Sequence, residues 1–159
     1  MAFAIVRRVL LTTEVFVAAT AAAGGAVLIA GSLAPAFDSV LIPPMQYLDG
    51  SPFETYLVPG LLLLVLVGGA QATAAVMGVR RSPWYHFWAS AAGFACAIWI
   101  YVQTWYIPFS ALQLVYLTLG LLQLGLVLLL RGVAHVPPAH RRSTYVAGGE
   151  ATDSGAGDR

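Results

Sequence analysis

Four apolar stretches, at about residues 9–31, 57–79, 84–105 and 108–130, occupy nearly all of the chain up to Arg131. Each is long enough to cross the roughly 30 Å hydrocarbon core of a bilayer, which takes about 20 residues at the helical rise. A water-soluble domain carries about a quarter charged residues. This chain is 9% charged and 59% hydrophobic, with a mean hydropathy of +0.80. Water offers no fold that hides so much apolar surface in 159 residues. The expected fold class is all-α: an integral membrane four-helix bundle over residues 1–132, followed by a polar, Gly-rich tail over 133–159 that reads as disordered.

The arginines orient the bundle. Arg7 and Arg8 precede the first stretch, Arg80 and Arg81 join the second to the third, and Arg131, Arg141 and Arg142 follow the fourth. The other two connections, 32–56 and 104–108, contain no Lys or Arg. By the positive-inside rule both termini are expected in the cytoplasm. The absence of Lys beside plentiful Ala, Gly and Arg matches a GC-rich bacterial genome, so the expected location is a bacterial plasma membrane. Ser32-Leu33-Ala34 after the first stretch loosely imitates a signal-peptide cleavage site. The run is long for a signal peptide and contains Glu14, which favours an uncleaved first span. A net charge of +1 and the lack of a basic patch argue against a nucleic-acid partner.

The connections carry local signals. The loop 32–56 holds Pro35, Pro43, Pro44 and Pro52, yet also Phe37, Leu41, Ile42, Met45, Tyr47 and Leu48, so it is expected to fold back as a cap on the outer end. Ser51-Pro52-Phe53-Glu54 reads as a helix start, with Pro59 bringing a kink or fresh start soon afterwards. Ser82-Pro83 reads as the cap of the third helix and Pro108 as the first-turn proline of the fourth. Trp84, Tyr85 and Trp88 at one end of the third stretch, and Trp99, Tyr101, Trp105 and Tyr106 at the other, read as interfacial aromatic belts.

Small residues recur at four-residue spacing: Ala18, Ala22, Ala26 and Ala30, then Ala70, Ala74 and Gly78, then Ala89, Gly93 and Ala97. Lipid removes the hydrophobic drive between helices, and such stripes let backbones approach closely. Tyr56-Leu57-Val58-Pro59 and Trp105-Tyr106-Ile107-Pro108 open the two helices that run inward, each followed by a glutamine at similar depth. A duplicated hairpin is one reading of this; the frequency of Pro with aromatics at interfaces is the other.

Polar residues inside the apolar stretches carry the functional question. Glu14 lies six residues beyond Arg8, and Gln71 and Gln123 lie nine and eight residues from Arg80 and Arg131. At 1.5 Å per residue all three sit roughly 9–13 Å from the arginine end. They are expected to face the bundle interior as a polar cluster, with Thr12, Thr13 and Thr73 as further members. One reading is interhelical hydrogen bonding that sets helix register. The other is a proton- or ligand-binding site, because an intramembrane carboxyl is a functional candidate by default. A second group, Glu54, Gln103, Tyr106 and Gln113, is a possible outer pocket, against the alternative of snorkelling to the headgroups.

Other chemistries fail on residue type and place. His86, His135 and His140 lie at or beyond the arginine end, so no pair faces across the bundle to hold haem, and no His, Cys and carboxylate cluster has metal-ligand spacing. No cofactor is expected. Cys96 is the single cysteine and reads as a small packing residue.

The run Ser51-Pro52-Phe53 through Leu57-Val58-Pro59-Gly60-Leu61-Leu62-Leu63 to Gly68-Gly69, with Trp99–Gln103 and Leu112-Gln113 through Tyr116 to Gly120-Leu121, resembles a pattern in small bacterial four-span membrane proteins. The resemblance implies four spans and carries over no catalytic or binding residue. Two functions are expected. The first is a non-enzymatic protein that self-associates or serves as an accessory subunit of a membrane complex, with the lipid bilayer and sister or neighbour subunits as partners. The alternative is a proton, small-solute or lipid-binding carrier or channel component using Glu14, Gln71 and Gln123.

Overall fold

The computed structural model describes residues 2–34 and 43–134, and is all-helical over its long elements. Helix α1 runs over Ala2–Leu33. Helix α2 covers Leu57–Val79 in three pieces: α-helical Leu57–Leu62, a π-helical turn over Leu63–Gly69, and α-helical Ala70–Val79. Helix α3 is Tyr85–Tyr106 and α4 is Ala111–Ala134. All four are long and apolar enough to cross a membrane. The sequence reading of residues 35–42 and of the tail from 135 onward lies outside the described residues.

Neighbouring helices run antiparallel, and glycines set how closely. A Cβ added at Gly25 would stand 2.8 Å from the Gly60 carbonyl oxygen, and one at Gly60 would stand 3.0 Å from the Gly25 carbonyl. Gly68 lies against the Ala18 and Ala22 backbone, and Gly78 against Leu11 and Tyr85. On the other side, Gly93 and Gly120 pack carbonyl to glycine between α3 and α4. These crossings bring Arg7, Arg8, Arg80, Arg81 and Arg131 to one end of the bundle and residues 43–56 to the other.

Only 22–33% of the most apolar window of each helix is buried within the chain. The outward surface is aliphatic and aromatic: Val79 is 70% exposed, Leu128 71% and Trp105 72%. A water-facing helix would carry its charged face there, whereas these faces suit hydrocarbon.

Several local expectations need correction. Helix α2 begins at Leu57, not at Ser51; the Ser51 hydroxyl instead accepts from the Phe53 N–H in a short turn. Pro59 therefore sits in the first helical turn, where its missing N–H removes no helical bond, and the irregularity appears four residues later as the π turn. Helix α4 starts three residues after Pro108. Its cap is reciprocal, with the Ser110 N–H donating to Gln113 Oε1 at 3.0 Å and the Gln113 N–H to Ser110 Oγ at 3.4 Å. The two Pro-aromatic openings thus occupy different positions relative to their helices. Ser82 does not cap the third helix either: it accepts from the Trp84 N–H at 3.3 Å in a turn ahead of α3, whose N-cap is Trp84 with no side-chain bond.

The alanine stripe of α1 also divides. Ala18 and Ala22 pack on Gly68, but Ala26 and Ala30 are exposed. Each four-residue step advances the azimuth by roughly 40°, so a stripe held over three steps rotates off its contact. Gly25 takes over against Gly60.

Candidate functional site

Along the bundle axis the core is layered. At the arginine end Leu10, Tyr85, Ala89, Leu126, Val127 and Leu130 form one apolar layer. Farther along, Val17, Ala21, Val67 and Cys96 form another. Between them on α1 lies Glu14, and Glu14, Gln71 and Gln123 are each 0% exposed. The spacing explains the order on α1: Leu10, Glu14, Val17 and Ala21 recur at four, three and four residues and so share one face. Sealing three polar side chains between apolar layers strengthens every hydrogen bond they make and penalises every one they lack.

Gln71 and Gln123 are bonded to each other. The Gln71 amide Nε2 donates to Gln123 Oε1 at 2.9 Å and to the Ala92 carbonyl at 3.3 Å, and Gln123 Nε2 donates to the Ala89 carbonyl at 2.9 Å. The pair ties α2, α3 and α4 together at one level. Ala92 and Ala89 reach these amides because small side chains leave their carbonyls uncovered.

Glu14 is organised differently. Its partner is Tyr85, whose hydroxyl donates to Glu14 Oε2 at 3.4 Å. The sequence reading placed Tyr85 in an interfacial belt, but it is 5% exposed and turned inward, while its neighbour Trp84 is 65% exposed. Among the described residues Glu14 Oε1 and Gln71 Oε1 are both buried without a hydrogen-bond donor. Arg7, nearly two helical turns from Glu14, spends its guanidinium on the Gly78 carbonyl at 2.7 Å, near the carboxyl-terminal end of α2 where a cation is favoured. The three threonines do not join the cluster through their hydroxyls. Thr12, Thr13 and Thr73 donate to the carbonyls of Arg8, Val9 and Gly69, four residues back in their own helices.

The second group is divided among separate places. Gln103 and Gln113 line a cavity of about 150 Å³ between the helices, together with Trp99 and Tyr116. Gln103 and Tyr106 line another, of about 180 Å³, under residues 43–56. Glu54 is exposed and lines neither. The roof of the second cavity is held by the Tyr56 hydroxyl, which donates to the Pro44 carbonyl at 3.0 Å. Burial, and secondarily Tyr47, pushes the Tyr56 phenol above its ordinary pKa. Trp99 stands in the wall of both cavities, a role that neither periodicity nor depth reveals. Among the described residues no group of His, Cys, Asp and Glu is arranged to hold a metal ion.

Comparisons with protein-family models, with curated proteins and with solved structures returned no match to this chain.

Proposed function

We propose that this chain is a non-enzymatic multi-pass protein of a bacterial plasma membrane, arginine end in the cytoplasm, whose core binds a proton or a small hydrogen-bonding solute at Glu14, with Gln71 and Gln123 behind it. Arginines gathered at one end of the bundle support the orientation. The observation that carries the binding reading is Glu14 Oε1, a carboxyl oxygen fully shielded from solvent and offered no donor. A side chain kept only to fix helix register is expected to have its polar atoms satisfied, as Gln123 has. Gln71 Oε1 is a second buried acceptor without a donor, and a solute with donor groups, or a proton on Glu14, answers a deficit of this kind. The apolar layers on either side make this an occluded arrangement.

The test is reconstitution in liposomes with an internal pH dye, together with infrared difference spectroscopy across a pH step. The expected outcome is a pH-driven response with a carboxyl signal, both lost in Glu14→Gln while the variant keeps its helix content and detergent stability. An unchanged response in Glu14→Gln would refute the reading.

A second reading, assembly with a copy of itself or with a larger membrane complex, has its own observation. Ala19, Ala23, Ala26 and Ala30 are all exposed and lie within roughly 60° of arc on α1, a small-residue face left free by the fold. A larger particle in mild detergent that reverts to monomer in Ala23→Leu and Ala26→Leu supports it; a monomer throughout opposes it.

A further inference from the structure

The 150 Å³ cavity holds a second arrangement, independent of Glu14. Its floor, Ala21, Val67 and Cys96, belongs to the apolar layer that closes off the polar one. An engineered cavity of about this volume takes up benzene, so the space admits one six-membered ring. The π turn supplies Leu63 and Val67 to its wall, the kind of helix widening often found at functional sites.

The wall is apolar except for a few polar groups: the Thr20 hydroxyl and the Cys96 thiol donate to backbone carbonyls, and the others keep unsatisfied hydrogen-bonding atoms. Gln113 is 5% exposed with its Oε1 engaged by the Ser110 N–H, which leaves the Nε2 amide as the group free to meet a ligand. The Trp99 Nε1–H is buried with no acceptor. The side chain of Gln103 and the hydroxyl of Tyr116 make no hydrogen bond among the described residues. The indole and the Gln113 Nε2 can only donate. Among the described residues no Asp, Glu, Lys or Arg lines the cavity. A matching ligand therefore brings acceptors and no net charge. Leu112, also in the wall, is 65% exposed, so the cavity is reached from the lipid-facing side at the first turn of α4.

The geometry points to a binding site here for a neutral, lipid-dissolved molecule with a carbonyl acceptor on a six-membered ring, held by the Gln113 amide and the Trp99 indole N–H. A bare acyl chain fills the volume but leaves both donors unpaired. The ester carbonyl of a glycerolipid presents the same acceptor without the ring, and the test separates the two sources.

The full-length protein is placed in nanodiscs of phosphatidylglycerol and phosphatidylethanolamine, with decylbenzoquinone as the probe, and released for native mass spectrometry. One quinone per chain is expected. Gln113→Glu retains an acceptor for the Ser110 N–H while deleting the donor, and it weakens binding about tenfold, as one neutral hydrogen bond implies. Trp99→Phe keeps a ring and deletes the N–H, with a similar loss. Gly24→Leu, in the cavity wall, abolishes the adduct; if it fails to fold, the other two variants still decide. No adduct, an adduct with the mass of phospholipid alone, or quinone binding indifferent to Gln113→Glu and Trp99→Phe would each overturn the proposal.

Discussion

Gln71 and Gln123 share one hydrogen bond at 2.9 Å in a layer with no solvent to replace it. Replacing Gln123 by Leu strands part of the Gln71 amide and is expected to destabilise the bundle by about 1 kcal/mol, in line with interhelical bonds in bilayers. The corresponding loss in Gln71→Leu should not add to it, and a double-mutant cycle of reversible unfolding in mixed micelles measures the coupling. Tyr85→Phe removes the donor to Glu14 Oε2 and leaves both carboxyl oxygens open. It is expected to lower stability by about 1 kcal/mol and to alter the carboxyl band that Glu14→Gln deletes; an identical spectrum in Tyr85→Phe would show that the 3.4 Å contact is not a working bond. The depths of Glu14, Gln71 and Gln123 were legible because rise per residue is constant along a helix. Tyr85 was not, because depth says nothing of azimuth: it sits one residue from Trp84, and 100° of rotation separates 5% from 65% exposure.

The helix pairs are held by backbone approach, so their glycines are not equivalent. A methyl at Gly25 meets the Gly60 carbonyl and Leu64 at 2.8 Å, atoms that cannot swing aside. Gly25→Ala should cost about 1–3 kcal/mol, as overpacking does. Gly69→Ala, with nothing within 4 Å of the new methyl, should be neutral or stabilising. Equal melting of the two variants would contradict this account of the α1–α2 contact. At the other end Tyr56 ties residues 43–56 to the bundle through Pro44. Its phenol is favoured in the neutral form when folded, so this contribution is intact at neutral pH and is lost as pH rises past the ordinary value of 10.0 and through the raised one. A spin label at position 49 should therefore become mobile at alkaline pH, and in Tyr56→Phe already at neutral pH. The presence and type of all four helices could be read from apolar run length. Their starts could not, since Ser51-Pro52 offers the chemistry of a cap, yet Ser51 is used in a turn and the helix begins at Leu57.

For the molecule as a whole, the strongest test of orientation is thiol labelling of single cysteines placed at Asp49, Ser82 and Gly148 in a Cys96→Ala background. Only the first should react with an impermeant reagent from outside the cell, and labelling at Ser82 would invert the bundle. Run length and hydropathy were enough to determine four helices long and apolar enough to cross a membrane, because burying charge and leaving backbone groups unpaired in hydrocarbon are both prohibitive. Those penalties act on each segment alone and need no knowledge of its neighbours. Which side chains meet is another matter. That Gln71 bonds Gln123 while Glu14 turns to Tyr85, that Ala18 is packed and Ala30 is bare, and that Trp99 stands between two cavities all follow from helix rotation and crossing. Rotation and crossing are settled by glycine contacts between helices distant in the chain, and a one-dimensional pattern carries depth without direction.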